Sequence, residues 1–179
     1  TDYIGKNWDY PEAGYARLDS IWKEHEHYQK GLLHFIATDP RVPQPIREEM
    51  SGWGYCPDEF LDTDGWPHQL YVREARRLVG EYVMTDHNAR GTTLPPHAVA
   101  LAAYTMDSHN AQRVVVNGMV RNEGNVEVGG FPPYPISYRS IVPKVGECEN
   151  LLVPWCLSSS HMAFGSIRME PVFMGLGQS

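Results

Sequence analysis

The residues of this chain best suited to chemistry gather near its end. Ser158, Ser159 and Ser160 place three hydroxyls beside the imidazole of His161, and Gly165, Ser166, Ile167 and Arg168 follow closely. An imidazole changes charge near neutral pH, so His161 is a candidate acid–base residue. His109 is a second candidate, two places after Asp107. On a strand those two would share a face, and on a helix they would diverge. Arg139 suits a substrate carboxylate or a phosphate, since guanidinium geometry matches both. His68, Tyr104 and Tyr138 complete the polar set expected to handle a substrate.

Other chemistries lack their patterns. No Gly-x-Ser-x-Gly elbow accompanies the serine run, so a hydrolase nucleophile is not expected. Glu24-His25-Glu26-His27 has the residue types of a metal site but not the spacing. Side chains two apart on a helix lie roughly 200° around its axis, so His25 and His27 cannot chelate one ion. The acidic residues Asp58, Glu59, Asp62 and Asp64 do not follow a calcium-loop spacing. No metal site is expected.

The elements that must position the C-terminal residues read as follows. Leu151 to Val153 is a short apolar run, expected as a buried strand. A loop of small and hydroxyl residues leads from it to an apolar segment, Ser166 to Leu176, expected as a helix whose start faces the loop. Free N–H groups and the positive end of the helix dipole would then face the loop, a favourable place for an anion. Pro171 either kinks that helix or marks its true first turn.

Upstream, Leu18, Ile21, Trp22, Tyr28, Leu32, Phe35 and Ile36 recur at near-helical spacing and predict a helix over Tyr15–Thr38, ended by Asp39-Pro40. Pro45 to Met50 reads as a short helix with proline in its first turn. Ser51 to Pro67 is a loop-rich insert anchored by aromatic residues. Leu70 to Thr85 is divided by Gly80 and fits either helix or strand. Ala98 to Tyr104 has no decisive period. Arg113–Val116 and Asn125–Val128 predict a hairpin around Asn122-Glu123-Gly124.

The 179 residues are enough for a real core, and 42% hydrophobic content with 21% charged residues fits a globular chain. A net charge of −7 without a Lys/Arg run argues against a nucleic-acid surface. No apolar stretch is long enough for a membrane span. Three cysteines without CxxC spacing give neither a disulfide scaffold nor a zinc knuckle.

Several blocks resemble one known family in the right order. Pro135-Ile-Ser-Tyr-Arg-Ser-Ile-Val-Pro-Lys144, Asn150-Leu-Leu-Val-Pro154 and Ser158-Ser-Ser-His-Met-Ala-Phe-Gly-Ser-Ile-Arg-Met-Glu-Pro171 are similar to the C-terminal signature of bacterial FAD-dependent oxidoreductases. Trp66 to Thr85, Tyr104 and Asp107-Ser108-His109 resemble the same family's middle region.

The resemblance implies FAD as cofactor and hydride transfer between flavin and a small organic substrate. It implies that Ser158, Ser159, Gly165, Ser166, Ile167 and Arg168 meet the cofactor, with the helix start facing the pyrimidine end of the flavin. It also implies that Leu70–Thr85 is extended, with its arginines directed at a site. Trp155-Cys156 stands where many flavoproteins carry a Gly-Asp pair toward the ribityl chain, so serine hydroxyls would substitute there.

One family feature is missing: no Gly-x-Gly-x-x-Gly occurs, and the nearest glycine cluster is Gly129-Gly130. The expectation is therefore the C-terminal portion of a longer flavoenzyme, inactive alone and not holding FAD without an N-terminal Rossmann segment. The fold expected is α+β, part of an α/β flavoprotein. Residues 1–133 would form a substrate or cap region, and 134–179 a strand–loop–helix closing the FAD domain. Its exposed apolar surface would pair with the N-terminal piece or form a homo-oligomer. The competing reading is a non-catalytic binding module that stacks carbohydrate on Trp53 or Trp66.

Overall fold

The computed structural model describes residues 2–179, which divide into two compact units, one ending at Ala75 and the other running from Arg76 to Ser179. The fold class is α+β, with helices and short antiparallel strands.

The first unit is built on α1 (Tyr15–Thr38), the helix its periodicity predicts. Ile21 and His25, one turn apart, are its buried residues. The Nδ1 of His25 lies 2.7 Å from the Ile21 carbonyl. A carbonyl only accepts, so the proton sits on Nδ1. Tyr3 stacks on Tyr28 and meets the His25 ring edge-on. The chain turns at Asp39, whose carboxyl the Arg41 guanidinium holds down at about 2, and α2 (Gln44–Ser51) packs back against α1. Beyond it the chain is loop with a 3₁₀ turn at Leu61–Thr63.

The second unit holds the larger core: Met84, Ala102, Met106, Tyr134, Ile136, Leu157, Phe164 and Ile167 among others. Its first helix, α3 (Asp86–Ala89), is one turn long and held by a capping box between Thr85 and Asn88. Three separate two-stranded ladders follow. β1 (Ala98–Ala102) pairs antiparallel with β6 (Tyr134–Ser137), β2 (Met106–Ser108) with β5 (Val126–Val128), and β3 (Gln112–Val116) with β4 (Met119–Glu123). Two helices, α4 (His161–Ile167) and α5 (Glu170–Gln178), end the chain. Helix α4 packs on β2 and α5 on β1.

Four expectations are corrected here. The hairpin turns at Asn117-Gly118, both at positive φ, and not at Asn122-Glu123-Gly124. Asn-Gly suits a two-residue turn because both positions tolerate left-handed backbone. The segment Val126–Val128 pairs instead with β2. A boundary at 133/134 would cut the β1–β6 ladder, whose strands lie on either side of it. Leu151–Val153 is not a strand: among its backbone groups the Val153 N–H donates to the Ile141 carbonyl, and no ladder forms.

The fourth correction concerns the last helices. Helix α4 begins at His161, with Ser160 as its N-cap, so Gly165, Ser166 and Ile167 lie at its C-terminal end and Arg168 is its C-cap. Those four residues meet the negative end of a helix dipole. Pro171 stands in the first turn of α5, the second of its two expected roles.

Candidate functional site

The serine run is clamped from two sides before any side chain is considered. The Leu78 N–H donates to the Cys156 carbonyl at 2.8 Å, and the Met84 N–H to the Ser158 carbonyl at 3.0 Å. The Ser160 N–H returns to the Met84 carbonyl at 2.8 Å, which makes a parallel bridge between Met84 and Ser159. From the other side the Ser158 N–H donates to the Ser140 carbonyl at 2.8 Å. Gly80 lets the same strap lie against the backbone of residues 139–142: a Cβ there would lie 2.5 Å from the Val142 carbonyl oxygen. Leu70 to Thr85, which the sequence fits to helix or strand, is irregular apart from the Met84 bridge.

On this clamped backbone Ser158 Oγ is fully buried and has no hydrogen-bond partner. Buried hydroxyls are ordinarily satisfied, so an orphan is a specific feature. Ser158 and Ser159 line an open groove of about 230 Å³ with Arg77, Leu78, Val79 and Val83. Arg77 donates from Nε to the Ser159 carbonyl at 3.0 Å and lies over the Phe164 ring, 5.3 Å from its centre. The carbonyl and the ring face together fix the plane of the guanidinium.

The other expected site residues fall elsewhere. Ser166 is fully buried; it accepts from the Tyr134 phenol and donates to the Tyr104 carbonyl. Ile167 belongs to the core. Gly165 does allow a close backbone approach, but to β2: a Cβ would sit 2.8 Å from the Asp107 carbonyl oxygen. Arg168 pairs with the Asp107 carboxylate and lies over the Tyr104 ring. These residues attach α4 to β2.

His161 is exposed at the first position of α4, and His109 is exposed just after β2. Tyr138 and Arg139 form part of a 3₁₀ turn, where Arg139 faces Glu81 at 3.8 Å. His68 lies in the first unit, against the Phe60 ring. In that unit Trp66 is covered by the Tyr55 edge and by Lys30, whereas Trp53 is exposed. Arg77 was expected only as one of the Leu70–Thr85 arginines directed at a site. Its signal was the arginine cluster at 73–77, from which neither period nor spacing picks one side chain.

The whole chain, residues 1–179, matches the model of the family described as FAD dependent oxidoreductase. The chain belongs to that family. No curated protein and no solved structure matches it. FAD is the cofactor that this family implies for the intact protein.

Proposed function

We propose that this chain supplies the substrate groove and the cofactor-facing loop of an enzyme that moves a hydride between a small organic substrate and FAD. The observation that carries the reading is Ser158: a buried hydroxyl without a partner, on a clamped loop that lines a groove, inside the segment resembling the family's signature. Bound FAD supplies the two-electron acceptor. In this reading Ser158 and Ser159 meet the ligands in the groove. His161, two residues after Ser159, exchanges the substrate proton, with His109 the second candidate. Tyr104, Tyr138 and Arg139 are the outer substrate-facing set. Gly165, Ser166, Ile167 and Arg168 serve the cofactor indirectly, by fixing α4 on β2.

The phosphates of FAD need a glycine-rich turn at a helix start, and the sequence contains none. That half of the site comes, in this reading, from an N-terminal Rossmann segment. Exposed Leu151, Leu152 and Trp155, around the run that forms no ladder, support a covering segment there. The test is FAD uptake, read by the visible flavin band, for the chain alone and co-expressed with that segment. The band is expected only in the complex. Uptake by the chain alone would remove the need for the segment, and no uptake in either sample would overturn the flavin reading.

A further inference from the structure

We propose that β3 pairs with β3 of a second copy of this chain, antiparallel and centred on Val114, so that two β3–β4 ladders join into one four-stranded sheet. The inference rests on the hairpin alone and is independent of the flavin reading.

The hairpin leaves both of its edges open. Its strands pair only with each other, and all of β4 is exposed. The two-residue turn at Asn117-Gly118 makes Val116 and Met119 the first hydrogen-bonded pair, so bonded pairs recur at Val114–Arg121 and Gln112–Glu123. The backbone N–H and C=O groups of Arg113 and Val115 therefore point away from β4, and those of Val120 and Asn122 away from β3. Among the described residues, no backbone group outside the ladder bonds to any of the four. Val115 and Val120, opposite each other, are 73% and 67% exposed. An isolated two-stranded ladder is marginal in water, and an open edge of β-branched residues is a template for a further strand.

Charge selects the edge and the register. A two-fold axis brings a strand beside itself, so residues equidistant from the centre meet. Fully overlapped, β4 would centre on Arg121 and set two guanidiniums directly opposite, which is destabilising. Fully overlapped, β3 centres on Val114. Valine then meets valine at the axis, Arg113 of each copy meets Val115 of the other, and Gln112 meets Val116. No like charges face each other, and the outward groups of Arg113 and Val115 find partners in both copies. Moving the centre to Arg113 opposes the arginines, and moving it to Val115 runs Arg113 against the left-handed backbone of Asn117. One register survives. The polar Asn117-Gly118 tip and the net charge of −7 do not suit an anionic membrane surface as the occupant.

The experiment is sedimentation velocity of the full chain over a range of concentrations, where a reversible dimer is expected. Val114→Lys and Val114→Glu are each expected to weaken it about tenfold or more, because like charges then face each other across the axis. An equimolar mixture of the two is expected to restore a dimer. Val120→Lys, on the outer strand, is expected to change the dimer constant less than about twofold. Val114→Cys under mild oxidation is expected to give a disulfide between the two substituted positions, identified by peptide mass, since Cα atoms facing each other in a non-hydrogen-bonded pair lie about 4.5 Å apart. Should the charged variants not fold, this crosslink decides alone: its absence overturns the proposal. A chain that stays monomeric, or a dimer that survives Val114→Lys and Val114→Glu undiminished, also overturns it. So does loss through Val120→Lys instead of the Val114 variants, which would move the contact to β4. Binding to anionic vesicles in place of dimerisation overturns it as well, and would make the hairpin tip a lipid contact.

Discussion

The phenol of Tyr134 donates to the Ser166 hydroxyl at 2.7 Å, and both residues are enclosed although 32 positions separate them. Ser166 passes the chain on by donating to the Tyr104 carbonyl. The link ties β6 to the end of α4 and is directional, so its two ends are unequal. Tyr134→Phe removes one donor and leaves Ser166 bonded to Tyr104, at a cost of about 1 kcal/mol. Ser166→Ala leaves the enclosed phenol without its acceptor and should cost about 1–3 kcal/mol. Urea unfolding of the two variants checks the order, and equal losses would contradict it.

The same phenol sets an alkaline limit. Burial pushes its pKa up from 10.0 to about 12, against the opposing effect of the Ser166 hydrogen bond. Above pH 10 the unfolded chain gives up this proton while the folded chain keeps it. The contribution is therefore fully present below pH 10 and is lost as pH rises through about 12. Two units correspond to roughly 3 kcal/mol. Melting temperature should fall more steeply between these limits for the native chain than for Tyr134→Phe.

Arg168 and Asp107 form the second tie between α4 and β2, with side chains 8% and 18% exposed. At that depth a broken pair costs more than the intact pair contributes. Asp107→Ala should lose about 3 kcal/mol, because it leaves an enclosed guanidinium whose Nε already has no partner. Replacing both, Asp107→Leu with Arg168→Met, should recover much of that loss. A double-mutant cycle measures the coupling, and additive losses would show that the pair does not act as a unit.

Local signals in the sequence reached as far as local physics does. The helix over Tyr15–Thr38 was legible because its apolar spacing persists over 24 residues and ends at Asp39-Pro40. The turn at Asn117-Gly118 carried a signal of equal quality, but Asn122-Glu123-Gly124 competed with it. Leu151–Val153 has strand composition without a ladder, and composition cannot supply neighbours. The start of α4 was legible in principle, since Ser160 accepts from the Ala163 N–H as an N-cap does. Reading the helix as starting four residues later put Gly165–Arg168 at the wrong end of the dipole. Ser158 and Ser159 were candidates because the signature segment contains them. Which arginine of the 73–77 cluster meets this loop was not legible, because the Arg77 contact with Ser159 spans 82 positions.

Glycine chemistry separates packing from propensity in the two terminal helices. In α4, a Cβ at Gly165 would meet the Asp107 carbonyl oxygen at 2.8 Å and the Asp107 nitrogen at 3.1 Å, both backbone atoms that cannot swing aside. Gly165→Ala must then push α4 off β2, with a cost of about 1–3 kcal/mol. In α5, a Cβ at Gly175 meets nothing within 4 Å. Gly175→Ala should stabilise by about 0.5–1 kcal/mol, since alanine loses less backbone freedom on entering a helix. Opposite signs in thermal unfolding are the expected result. If both variants were destabilised alike, the close approach of Gly165 to β2 would not be what distinguishes the two positions. Because the Asp107 backbone receives Gly165 and its carboxylate receives Arg168, Gly165→Ala and Asp107→Ala should also be non-additive.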